Sequence, residues 1–191
     1  MSYGIRHQVW GDYACYTRQE MKAERVSYDI ITPSAARGVL EAIFWRPAIR
    51  FVIDRIHVLK PIRFQSFRRN ELGVKMSTDK AKSGMRAGSS GGQGVAIESV
   101  RLQRATTLLV DVAYLIEAHF EIIAARGPDD TPAKHISMFN RRAAGGQFFH
   151  QPCLGTREFP AAFRLLEPDD PVPVSQLPIE QRDRDLGWML Y

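Results

Sequence analysis

The chain has 191 residues, 45% of them hydrophobic and 25% charged, with a formal net charge of +5 at pH 7; this is the make-up of a soluble globular protein with a full-sized core, in one domain or one domain plus an appendage. Two cysteines, Cys15 and Cys153, far apart in sequence, argue against a disulfide framework or a zinc site and favour a reducing compartment. The first fifteen residues hold no apolar signal core, and the greasy stretch 108–125 is interrupted by Asp111, Glu117, His119 and Glu121, which excludes a membrane span and points to a cytoplasmic protein.

Residues 3–10 place Ile5, Gln8, Val9 and Trp10 in rough alternation and predict a first strand. Thr32-Pro33 then opens a helix, since Thr32 can cap it and Pro33 suits its first turn. Ala36, Val39, Leu40 and Ile43 form one apolar face for packing on a sheet, and Pro47 ends the helix. Phe51-Val52-Ile53 and Ile56-His57-Val58 lead into Pro61-Ile62-Arg63-Phe64 as a second extended region.

Residues 68–104 differ in kind, being polar, cationic and punctuated by glycine. Arg46, Arg68, Arg69, Lys75, Lys80, Lys82, Arg86, Arg101 and Arg104 are among thirteen cations in 46–104, against Asp54, Glu71, Asp79 and Glu98. Such a concentration suggests a polyanionic partner. Ser89-Ser90-Gly91-Gly92-Gln93-Gly94 reads as the tip of a basic β-hairpin extending from the body, with a plain surface insertion as the alternative.

A long strand is expected over 101–123, where Leu108, Val110, Val112 and Tyr114 alternate. Thr131-Pro132 repeats the helix start, with Ile136, Phe139 and Ala143 inward, Lys134 and His135 in the first turn, and Gly145-Gly146 as the stop. A last strand is read within 152–166. The order strand, helix, strand, insertion, strand, helix, strand predicts an α+β, ferredoxin-like (RRM-like) βαββαβ domain over 1–166. Beyond it, 167–191 reads as an acidic linker and the start of a truncated C-terminal β region.

Lys134-His135 is the most suggestive pair. The positive end of a helix macrodipole disfavours cations by a few tenths of a kcal/mol, up to about 1, whereas its amides suit phosphate. An ammonium and an imidazole added there make a place to hold and cleave a phosphodiester; an inconsequential surface pair is the alternative. His7 and His57 read as surface or edge residues, His119 as an ion-pair member, and His150 and Cys153 as structural. No group of His, Asp or Glu has metal-ligand spacing, so neither a metal nor a cofactor is expected.

Trp10-Gly11-Asp12-Tyr13-Ala14, Glu24-Arg25-Val26-Ser27-Tyr28, Thr32-Pro33-Ser34-Ala35-Ala36-Arg37-Gly38, Glu41-Ala42-Ile43-Phe44-Trp45-Arg46-Pro47 and Cys153-Leu154-Gly155-Thr156-Arg157-Glu158-Phe159 resemble, in order, the Cas-five subunit of type I-C CRISPR systems, a member of the RAMP superfamily. The resemblance implies a metal-independent endoribonuclease that cuts repeat RNA in precursor crRNA and stays on the 5′ handle within the Cascade complex. It also implies that Lys134 and His135 are catalytic and that Phe44 occupies the position of the family's tyrosine, a departure that removes a phenolic hydroxyl. Tyr28 or water would then assist His135.

The rival reading is a binding module that holds the handle, or double-stranded DNA, without cutting. Arg and Lys of the insertion and the Gly145-Gly146 loop would contact phosphates, and Phe44 and Trp45 would either stack on bases or pack in the core. A third reading is a structural protein whose basic face meets an acidic partner.

Overall fold

Each Thr-Pro pair of the sequence opens a helix whose first amides the threonine can satisfy. The computed structural model describes residues 4–75, 77–90, 94–124, 127 and 130–189. In chain order the elements are β1 (Ile5–Ala14), α1 (Pro33–Ile43), β2 (Ile49–Val58), β3 (Phe64–Leu72), α2 (Thr78–Ala87), α3 (Ile97–Val100), β4 (Arg101–Ile122), α4 (Pro132–Ala144), β5 (Ala162–Leu165) and α5 (Ile179–Arg182). They divide into two units, Met1–Gln65 with Thr107–Tyr191, and Ser66–Thr106.

In the first unit the sheet order is β2-β4-β1-β5, and each of these pairings is antiparallel. Strand pleating puts Ile5 and Val9 of β1 on one face, level with Ala118 and Tyr114 of β4, while Phe51 of β2 stands opposite Phe120. α1 packs on β2, α4 packs on β5, and the two helices touch. Val39, Leu40, Ile43, Phe51, Phe120 and Phe139 join one core cluster; full burial of each such side chain stabilises by about 1.5–3 kcal/mol.

Thr32 accepts a hydrogen bond from the Ala35 amide at 3.2 Å, and Ala36, Val39, Leu40 and Ile43 are the buried stripe of α1. The helix ends before Pro47, at Phe44, whose extended backbone (φ −150°) turns the chain toward β2.

Two glycines of the sequence motifs allow close approach. Gly155 has φ +93°, and a Cβ there would lie 2.0 Å from the carbonyl oxygen of Cys15. A Cβ on Gly11 would meet Leu154 Cδ1 at 2.6 Å. Together they fasten the 153–160 loop to β1, where the Cys15 amide donates to the Leu154 carbonyl at 3.0 Å.

Residues 167–189 were expected as a linker leading into a β region, and their described part contains no strand. They are tied to the first unit instead. The Arg6 guanidinium donates to the carbonyl oxygens of Glu167, Pro168 and Asp170 at 3.2, 3.1 and 2.9 Å. Gln176 N–H donates to Leu59 O at 2.8 Å, and Arg184 pairs with Asp29 at 2.8 Å.

The second unit also departs from expectation. β3 pairs with β4, but the described residues between them hold α2 and α3 rather than a bare hairpin loop. α2 is capped by Ser77, which accepts from the Lys80 amide at 3.4 Å, and closes on Gly88 at φ +62°. The expected loop tip, residues 91–93, lies outside the described residues.

Candidate functional site

α4 builds the site from its first turn. Thr131 caps it, accepting from the Lys134 amide at 3.4 Å, and Pro132 supplies the first helical position. The His135 amide donates to the Thr131 carbonyl at 3.3 Å. Since Pro132 has no N–H, Ala133 is left to offer the remaining amide of the turn. Side chains therefore dominate what this end can do to an anion.

Four-residue spacing sets which way those side chains face. His135, Phe139 and Ala143 are the buried residues of α4, so His135 begins the inward stripe while Lys134 is exposed. The sequence reads both in the first turn of the helix; the structure separates them, with His135 only 3% exposed. Its ring lies 6.1 Å from those of Phe44 and Phe120, centroid to centroid. Neither ring nitrogen makes a hydrogen bond among the described residues; the Asp130 carboxylate approaches Nε2 at 3.5 Å, the outer limit of such a contact.

Arg46, Pro47, Ala48, Asp130, Lys134, His135 and Met138 line a cleft of about 420 Å³. The Phe44 ring packs against His135. That ring is fully buried, with the guanidinium of Arg46 5.6 Å from its centroid and that of Arg142 at 5.5 Å. Arg142 also donates to the Ile43 carbonyl at 3.3 Å, tying α4 to the end of α1. The chain thus brings Phe44, Arg46, Lys134 and His135 together from two helix ends about ninety positions apart in sequence.

Other expected site residues fall elsewhere. Tyr28 lines a different cavity of about 340 Å³, with Cys15, Tyr16, Thr32, Ser34 and Gly155, and Arg18 sits 4.7 Å over its ring. Phe44 is too buried to stack on a base, whereas Trp45 is 54% exposed and can. Gly145 caps α4 and Gly146 adopts φ +64°, both exposed.

Arg68, Arg69, Lys75, Lys80, Lys82, Arg86, Arg101 and Arg104 all belong to the second unit. Its eight cations against three acids equal the excess of five carried by the whole chain. Arg69 pairs with Glu71, and Arg104 reaches the same carboxylate at 3.2 Å, so both guanidiniums are engaged by an acid. Lys75 and Lys80 line one cavity together.

Among the remaining histidines, His119 pairs with Asp54 at 2.8 Å as expected. His7 does not sit at a surface or edge. It lies in β1 between β4 and β5, fully buried, with neither ring nitrogen hydrogen-bonded, and burial lowers its pKa to about 4. Asp130 was not singled out in the sequence; its signal was position, one residue before the cap, where a side chain meets the fourth helical residue.

Fold and cleft define an α+β protein with an antiparallel sheet and a cationic cleft at a helix start. Residues 4–191 match the Cas5d model of the family described as CRISPR-associated protein (Cas_Cas5), and the chain belongs to that Cas5 family. It is 58% identical over 191 residues to a protein of Mannheimia succiniciproducens named CRISPR pre-crRNA endoribonuclease Cas5d, covering 100% of this chain and 85% of that one. A Thermus thermophilus protein of the same name is 43% identical over 187 residues, covering 98% and 72%. A crystal structure titled CRISPR-associated protein superposes with a TM-score of 0.59 at 24% identity, over 87% of this chain and 68% of the other. A chain of a CRISPR RNA-guided surveillance complex gives 0.50 at 15% identity, over 83% and 60%, and shares the fold. Among the described residues no helix is long and apolar enough to cross a membrane.

Proposed function

We propose that this chain is a cytoplasmic pre-crRNA endoribonuclease of a type I-C CRISPR system that cuts the repeat without metal and remains on the 5′ handle inside Cascade. Two close relatives bear the name of that activity. The single structural observation that carries the reading is the cleft in which Arg46 and Lys134 flank His135. The strand order β2-β4-β1-β5, with α1 and α4 in mutual contact, supports the ferredoxin-like reading of the domain.

The chemistry is attack of a ribose 2′-hydroxyl on the adjacent phosphorus, leaving a 2′,3′-cyclic phosphate and a 5′-hydroxyl. It requires proton transfer and stabilisation of the extra charge on the phosphorane. Lys134, exposed at the rim, and Arg46 supply positive charge beside the phosphate. His135 is the proton-transfer candidate, because its imidazole lines the cleft between these cations. Arg68, Lys75, Lys82, Arg86 and Arg101 of the second unit supply phosphate contacts that give affinity with little sequence information.

A non-cleaving handle binder is the second reading, and a specific observation favours it: Phe44 offers no hydroxyl to an imidazole that lacks a hydrogen-bond partner. Double-stranded DNA and other Cascade subunits are the further partners of either form. Incubation with the cognate repeat RNA in excess EDTA separates the readings. Cleavage supports the nuclease, a mobility shift without cleavage supports the binder, and neither outcome would leave only a structural role.

A further inference from the structure

The accessible half of the Asp130–His135 pair is the carboxylate. His135 has 3% of its side chain exposed and Asp130 has 21%, and both line the cleft that also holds Arg46 and Lys134. The imidazole nitrogen turned toward Asp130 is Nε2, at 3.5 Å, and both ring nitrogens are shielded from solvent. A base must come within hydrogen-bond reach of the proton it takes. A ribose hydroxyl entering this cleft meets Asp130 before it meets His135.

We propose that Asp130 is a further catalytic residue, the carboxylate that takes the proton from the 2′-hydroxyl and shares it with His135, whose Nε2 lies 3.5 Å behind it. The inference rests on the reading of this cleft as the cleavage site. As the O–H bond of the 2′-hydroxyl breaks, its proton passes to an Asp130 oxygen and its electron pair forms the bond to phosphorus. The P–O5′ bond then breaks, and the leaving oxygen takes a proton from water. Asp130 returns its proton to solvent, neutralising the hydroxide so formed.

The geometry has a local cause. Asp130 precedes the cap Thr131, and His135 is the fourth residue of α4, the two positions that an apolar staple links at many helix starts. Here a carboxylate and an imidazole occupy them. A carboxylate at this end also favours the helix dipole, so a purely structural role has to be separated from a chemical one.

Single-turnover cleavage of the cognate repeat RNA by wild type, Asp130→Asn and Asp130→Glu makes that separation, with RNA affinity and melting temperature measured alongside. Asp130→Asn is expected to cleave 10²–10⁴-fold more slowly while binding RNA as tightly as wild type or more tightly, because a negative charge leaves the phosphate site. Asp130→Glu retains a carboxylate and is expected to cleave at least tenfold faster than Asp130→Asn. Equal rates for the Asn and Glu variants, or an Asn variant as fast as an active wild type, would overturn the role of Asp130 alone. Absence of cleavage by wild type would overturn the reading of the cleft and this inference with it.

Discussion

His7 makes the stability of this protein depend on pH in a calculable way. Its imidazole is held neutral in β1, edge-on to Phe139 at 5.9 Å and tilted against Phe163 at 5.2 Å. Burial lowers its pKa from 6.5 to about 4, so between these values the unfolded chain binds a proton that the folded chain refuses. The stabilisation is complete above pH 6.5, is lost as pH falls toward 4, and changes no further below. At about 1.36 kcal/mol per pKa unit the loss is roughly 3 kcal/mol. Urea unfolding at pH 7.5, 6, 5 and 4.5 measures it by comparing wild type with His7→Leu. The variant should lack this component of the pH dependence. It should also be at least as stable at pH 7.5, since an unpartnered buried imidazole gives way to an apolar side chain. Identical pH slopes for the two proteins would refute the argument. The outcome matters for enzymology, because acid inactivation arising in β1 would otherwise be mistaken for titration in the cleft.

Phe44→Tyr puts a hydroxyl on a ring 6.1 Å from an imidazole without a hydrogen-bond partner; a satisfied hydroxyl should keep stability within about 1 kcal/mol, a melting shift of roughly 2–4 °C, and speed cleavage. A loss of about 3 kcal/mol by thermal melting would show the hydroxyl buried without a partner. Neutralising Arg68, Lys75, Lys82 and Arg86 together should weaken RNA binding and flatten the log–log salt dependence by up to about 3 units, at about 0.7 per single-strand phosphate contact; an unchanged slope would remove the second unit from the interface. Gly155→Ala places a Cβ 2.0 Å from the Cys15 carbonyl at φ +93° and should reduce soluble yield and melting temperature sharply, whereas a wild-type melt would show that the 153–160 loop is not docked as described.

Helix starts were the most legible part of the sequence, because Thr-Pro before an apolar stripe is a local signal: Thr32 and Thr131 both cap as read. Phe44, Arg46, Lys134 and His135 are legible in the sequence, although only the packing of α1 and α4 reveals that the last three share one cleft with Phe44 packed against His135. A first-turn position does not by itself announce the burial of His135, although its spacing from Phe139 and Ala143 puts it on the inward stripe. α2 was hidden by glycine and cation content, although Ser77 and Gly88 mark its ends as well as any in the chain. The path of 167–189 depends on Arg6, Val58 and Leu59, more than a hundred positions away, and no local pattern encodes it. His7 was misplaced for a similar reason, since nothing in its own neighbourhood announces that β5 pairs beside it.

The central claim is that the cleft at the start of α4 cleaves repeat RNA by internal 2′-hydroxyl attack. End-group analysis of the cognate repeat RNA after incubation with the protein in excess EDTA tests it most directly. The account predicts a single cut bearing a 2′,3′-cyclic phosphate and a 5′-hydroxyl, lost in His135→Ala with RNA affinity retained. RNA that stays intact, or is cut only when divalent metal is present to leave 3′-hydroxyl and 5′-phosphate ends, would contradict it.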